Sequence, residues 1–116
     1  MKFKLIMVMV GEEQTETVVE TARAQGATGS TVITSCRGEG LTRAKTFLGL
    51  DLAGTRDIVL LLVEEHLSRQ VLERIGQVCG FDNTPGTGIA VQIDIEDAVG
   101  LAAQIDTISQ EIEAQI

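Results

Sequence analysis

The chain has 116 residues, enough for one domain with a substantial core and no need of metal or disulfide staples. Its formal charge is −8 and it holds three Phe but no Trp or Tyr. A nucleic-acid-binding surface is thereby excluded, because the phosphate backbone would find no basic patch and the bases no stacking platform. The cysteines, Cys36 and Cys79, and the lone histidine, His66, are too scattered for a zinc site. They read as reduced thiols and a solvated imidazole in a cytoplasmic protein.

Residues 2–10 alternate and are rich in Met, Val, Ile and Leu, which predicts a strand ended by Gly11. The apolar run at its centre is too short for a signal peptide or a membrane span. Residues 12–25 open with Glu12 and Glu13, which suit a helix N-terminus. Val18, Val19 and Ala22 share one face of that helix, and Gly26 closes it. Residues 30–36 return to the β-branched Thr31, Val32, Ile33 and Thr34 and predict a second strand.

Residues 37–55 are irregular. They hold Gly38, Gly40, Gly49 and Gly54, the basic Arg37, Arg43 and Lys45, and an apolar cluster of Phe47, Leu48, Leu50 and Leu52. A loop of this length in a small domain is usually functional, the alternative being a hairpin extension packed on its own subunit. Residues 57–64 form a nearly continuous apolar run, the pattern of a central strand. Residues 66–79 carry Leu67, Val71, Leu72, Ile75 and Val78 at helical spacing, stopped by Gly80. Residues 89–95 alternate again, with Ile89, Val91, Ile93 and Ile95 on one face. Residues 101–116 place Leu101, Ile105, Ile108, Ile112 and Ile116 on one stripe. They predict a short amphipathic tail helix that docks on its own body, a neighbouring subunit or a partner.

This order predicts an α+β, ferredoxin-like split βαβ sandwich (βαββαβ), with four antiparallel strands and two helices on one face. The uncovered face is expected to carry either Ile6, Val8 and Val10 or Lys2, Lys4 and Gln92, depending on register. The third strand is apolar on both faces, so something must cover the open one, and another copy of the chain is the simplest cover.

Little in the chain looks like reaction chemistry. Asn83 has no arginine partner for an anion-activating site, and Asp94, Glu96 and Asp97 read as a solvated strand end before they read as a cation site. No catalytic residues and no resident cofactor are expected. The informative features are the turns Arg37-Gly38-Glu39-Gly40 and Thr84-Pro85-Gly86-Thr87-Gly88, each beside an apolar run in matching halves of the chain. Glycine permits close approach of backbone to a ligand, and successive N–H groups can cradle an anion.

Gly26-Ala27-Thr28-Gly29-Ser30-Thr31-Val32 followed by Arg37-Gly38-Glu39-Gly40 resembles the first-half signature of the PII (nitrogen regulatory protein P-II) signalling family. So does Pro85-Gly86-Thr87-Gly88 leading into Ile89-Ala90-Val91-Gln92-Ile93-Asp94-Ile95-Glu96-Asp97-Ala98, and the resemblance spans residues 2–101. It implies a single domain over residues 1–116, with a T-loop at about 37–56, a B-loop at about 82–88 and a tail at about 101–116. It further implies a homotrimer that senses an adenine nucleotide (AMP, ADP, ATP or cyclic AMP) in clefts between subunits. The target docked through the T-loop would be a membrane transporter or a metabolic enzyme. On this resemblance the ligand-binding residues are Thr28, Gly29, Ser30 and Thr31, then Gly38, Glu39 and Gly40, and Gly86, Thr87 and Gly88. The partner-binding residues are Arg43, Lys45, Phe47, Leu48 and Leu50.

The departures bear on the ligand. Ile89 stands where the family usually has a Lys, and Gly100-Leu101-Ala102 where it usually has two Arg. The Gln and Lys that serve 2-oxoglutarate have no match, Thr42 and Thr55 or Arg56 standing nearby, and a chain without Tyr cannot be uridylylated. A triphosphate needs cations to offset its charge, so a less charged nucleotide is favoured unless Arg37, Arg43, Lys45 or Arg56 substitutes. The alternative reading is a ligand-independent, partner-binding trimer of the copper-tolerance CutA type.

Overall fold

A computed structural model describes residues 2–36, 46–47, 50–51 and 55–101. Strand β1 runs Phe3–Gly11, followed by a 3-10 turn at Glu12–Gln14 and helix α1 at Thr15–Ala24. Neither Gly11 nor Gln14 offers a side-chain cap, and the predicted helix accordingly opens as a 3-10 turn and becomes α-helical only at Thr15. Strand β2 spans Thr31–Cys36, and a miniature hairpin pairs β3 (Thr46–Phe47) with β4 (Leu50–Asp51). Strand β5 (Arg56–Glu64), helix α2 (Glu65–Cys79) and strand β6 (Gly88–Asp94) complete the described elements. The expected βαββαβ sandwich is the observed fold: the four long strands form one antiparallel sheet in the order β2-β5-β1-β6. The expected tail helix lies outside the described residues beyond Leu101.

Both helices lie on one face because their apolar positions recur at helical spacing. Val18 and Ala22 of α1 and Val71, Ile75 and Cys79 of α2 are buried against the sheet. Beneath them Ile6 pairs with Leu61 and Val8 with Val59, and all four are at most 1% exposed. Fully burying such a side chain stabilises by about 1.5–3 kcal/mol, so this aliphatic layer carries the fold. Helix α2 stops where Gly80 turns left-handed (φ 70°) and Phe81 donates its N–H back to the Gly76 carbonyl at 3.0 Å.

The register corrects one expectation. Direct pairing puts Ile6 opposite both Leu61 and Gln92, and Lys4 opposite Val63 and Asp94. With a side-chain period of two, Lys4, Ile6, Val8, Val10 and Gln92 all share the helix-covered face. The uncovered face instead carries Leu5, Met7 and Met9 of β1, Ile58, Leu60 and Leu62 of β5, and Ile89, Val91 and Ile93 of β6. Leu62 and Ile93 are 39% and 41% exposed.

Candidate functional site

The strand ends decide what can meet. Gly11 pairs with Arg56, Cys36 with Arg56, and Val10 with Gly88. The ends of the 37–56 loop and the 84–88 turn therefore sit at the same end of the sheet. The loop leaves β2 at one edge and re-enters the sheet at β5, whereas the turn enters β6 at the other edge, with β5 and β1 between β2 and β6. At about 4.8 Å per strand the β2 end of the loop lies roughly 14 Å, and its β5 end roughly 10 Å, from β6.

The 84–88 turn is built around its own hydrogen bonds. Thr87 donates its N–H to the Thr84 carbonyl at 3.4 Å, with Pro85 and a left-handed Gly86 (φ 82°) between them. That is the residue pattern of a type II turn. The Thr87 hydroxyl donates to the same carbonyl at 2.8 Å, so it staples the turn. Gly88 has a packing reason to be glycine. A Cβ there would lie 2.3 Å from the Phe81 ring and 2.9 Å from the Met9 carbonyl oxygen.

Thr28, Gly29 and Ser30 follow α1 as an exposed segment, and Thr31 opens β2. With Val19, Ala22, Arg23, Ala27 and Leu61 the segment 28–30 borders a cavity of about 50 Å³, which holds a water or two rather than a nucleobase. A single chain thus keeps residues 28–31 and 86–88 on opposite edges of its sheet. Gly38, Glu39, Gly40, Arg43, Lys45 and Leu48 lie outside the described residues; Phe47 and Leu50 pair across the miniature hairpin.

At the base of the loop the structure brings together residues that the sequence reading did not single out. Asp57, only 6% exposed, accepts the Thr15 hydroxyl at 2.6 Å on Oδ2 and the Ser35 N–H at 3.2 Å on Oδ1. Ser35 is the one non-glycine residue in the left-handed region among those described (φ 57°), at a bulge where β2 inserts an extra residue between Ile33 and Cys36. The signal was present in the sequence: Asp57 falls in the same alternation as the buried Val59, Leu61 and Val63.

At the opposite end of the sheet, a groove of about 740 Å³ is lined by Lys2, Phe3, Lys4, Glu65 and the segment 94–98, with Leu101. Lys4 bonds Asp94 across β1 and β6, so part of the acidic cluster is spent on an ion pair. The hydrogen bond from Lys4, reinforced by its charge, holds Asp94 below the usual carboxylate range, and the same bond raises Lys4. No group of three or more potential metal-binding side chains occurs among the described residues. The exposed His66 faces Glu64 at 3.2 Å, and burial pushes the Cys79 thiol up.

The family described as nitrogen regulatory protein P-II matches residues 3–104. The chain belongs to the P-II family. Members are regulatory proteins rather than enzymes, which agrees with the expectation of a regulator. No curated protein matches the sequence. Among solved structures, this PII-type chain resembles CPII of Thiomonas intermedia K12 bound to ADP, AMP and acetate. Identity is 18%, with 85% of this chain and 91% of that one covered at a TM-score of 0.64. CPII bound to ADP and bicarbonate gives 18% identity, coverages of 87% and 93%, and a TM-score of 0.62. A PII-like signalling protein of Thermus thermophilus gives 21%, 82%, 90% and 0.58 in the same order. At these identities the likeness concerns the fold. No helix among the described residues is long and apolar enough to cross a membrane.

Proposed function

We propose that this chain is a PII-type regulator, a homotrimer that senses an adenine nucleotide in clefts between subunits and signals through the 37–56 loop to a target protein. The observation that supports this reading is that the end of β2, which leads into Arg37-Gly38-Glu39-Gly40, and the turn at Gly86-Thr87-Gly88 lie at one end of the sheet but on opposite edges. A cleft lined by both requires two copies side by side, and the open apolar face supplies a reason for copies to associate. Thr28, Gly29, Ser30 and Thr31, Gly38, Glu39 and Gly40, and Gly86, Thr87 and Gly88 are the residues assigned to that cleft. Arg43, Lys45, Phe47, Leu48 and Leu50 are assigned to the target, with a membrane transporter or metabolic enzyme as its class.

ADP and AMP, the nucleotides named in the Thiomonas structures, fit this chain better than ATP on charge. Ile89 follows the B-loop where a cation would meet a terminal phosphate, and Ile89 shares the open face with Met9. Calorimetric titration with AMP, ADP, ATP and cyclic AMP, with and without magnesium, bicarbonate and 2-oxoglutarate, tests the effector. Light scattering tests the trimer. Saturable binding of ADP or AMP, tighter than ATP, is the expected result; no heat with any nucleotide overturns the reading.

A second reading, a ligand-independent trimer that only binds a partner, has one specific observation in its favour. The B-loop glycines and Thr87 each have an intramolecular reason for their identity: the left-handed turn, the Phe81 contact and the staple to Thr84. A silent titration with an intact trimer would leave this reading standing.

A further inference from the structure

Asp57 is a charged residue buried in an otherwise aliphatic layer, and neither the family match nor the assigned cleft gives it a task. Burying a carboxylate is costly unless its oxygens are hydrogen-bonded, so its partners indicate what it is for. One oxygen takes the hydroxyl of Thr15, the first residue of α1, and the other takes the N–H of Ser35, the penultimate residue of β2. Ser35 holds φ 57°, a conformation that disfavours any residue with a Cβ by roughly a factor of ten. A charge-assisted bond to that same N–H offsets such a penalty.

We propose that Asp57 is a positioning residue for the effector cleft: its carboxylate clamps the left-handed Ser35 turn to the start of α1 and so fixes the direction in which the chain leaves β2 towards the 37–56 loop. This inference rests on the effector reading above. The register supports it independently of any ligand. Cys36 and Arg56 pair across the bulge, so the Ser35 turn and Asp57 sit at the root of the loop on its two sides. Thr15 ties that root to a helix whose Val18 and Ala22 are anchored in the core, giving the clamp a rigid backing.

The test combines Asp57→Ala, the isosteric Asp57→Asn, Ser35→Gly and the double variant Asp57→Ala with Ser35→Gly. Binding of ADP by calorimetry and hydrogen exchange at the Ser35 amide are measured on each. Asp57→Ala is expected to weaken ADP about tenfold and to speed Ser35 exchange by at least about tenfold, with core amides unchanged. Ser35→Gly alone should alter ADP affinity by less than about threefold. In the double variant it should restore most of the loss, because glycine takes the left-handed turn without help. A merely structural carboxylate would show no such rescue.

Should Asp57→Ala fail to fold, Asp57→Asn keeps the shape and is expected to show the same pattern at about threefold. Folded Asp57 variants that bind ADP like the wild type, or a double variant no better than Asp57→Ala, overturn the proposal. If the wild type binds no adenine nucleotide, the effector reading fails. Ser35 exchange then still decides whether Asp57 holds the turn, faster exchange in Asp57→Asn supporting the clamp and unchanged exchange refuting it.

Discussion

The two faces of the sheet are nearly equal in hydrophobicity and opposite in fate. The covered face holds Ile6, Val8, Val10, Val59, Leu61 and Val63, none more than 2% exposed. It also accommodates Asp57, Gln92 and the Lys4–Asp94 pair at its margins, each polar group answered by a partner such as the Ser68 hydroxyl, which donates to Gln92 at 2.7 Å. The uncovered face is apolar from Leu5 to Met9, Ile58 to Leu62 and Ile89 to Ile93 on the three adjacent strands β5, β1 and β6, with Arg56 and Glu64 at its two margins. At its centre the face without helices is therefore as apolar as the face beneath them. A surface meant for water is built the other way round, which is the physical ground for expecting copies of the chain to cover it.

The largest effect is expected where the covered face is thinned. Ile6→Ala should cost about 2–5 kcal/mol, read from denaturant unfolding, because the surrounding Val and Leu side chains cannot close the void. A loss below about 1 kcal/mol would mean that this face is less tightly packed than its exposure values indicate. Gly88→Val acts on the same face in the opposite sense. The added methyls meet the Phe81 ring and the Met9 carbonyl, and about 1–3 kcal/mol of destabilisation should appear with or without nucleotide. If that variant keeps wild-type stability and loses only ligand binding, Gly88 belongs to the cleft alone.

On the uncovered face the outcome separates fold from assembly. Leu60→Glu places a charge at the centre of the apolar patch, opposite Met7 and Thr31. The isolated chain should still fold, because Leu60 is half-buried on the face opposite the helices rather than in the core beneath them. Light scattering should report monomer in place of the proposed trimer, since an unpaired charge cannot be buried between copies. An unaltered oligomer would place the subunit contact elsewhere.

This asymmetry was only half legible in the sequence. Element order, the central position of β5 and the glycine stops at Gly11, Gly26 and Gly80 followed from periodicity and turn chemistry. The assignment of faces did not: even-numbered and odd-numbered positions of β1 are both apolar, and only pairing with β5 and β6 shows which set lies under the helices. The Asp57 clamp escaped for a related reason. A polar residue at the start of an apolar run looks like a strand boundary until Thr15 and Ser35, far apart in sequence, are seen on its two oxygens. The glycine turns were legible as sequence, whereas the separation of the β2 end from the 84–88 turn across the sheet needed the strand order.

The smallest expected effect lies at the margin of the covered face, in the Lys4–Asp94 pair. Asp94 is held below its ordinary range, so its contribution is present above the carboxylate pKa of the unfolded chain and fades as pH falls through the lowered folded value. Lys4 is held above its ordinary range, so its contribution is complete below the unfolded lysine pKa and fades as pH rises through the raised folded value. The pair thus stabilises on a plateau between acid and alkali. Being exposed to solvent, it is screened by salt. Lys4→Met should lower Tm slightly at neutral pH and low salt, and the difference from wild type should shrink in acid, in alkali and in about 1 M salt. A difference flat in pH and indifferent to salt would show that Lys4 acts through its methylene stem lying along the sheet. The margin of the covered face at Lys4 would then be held by packing rather than by charge.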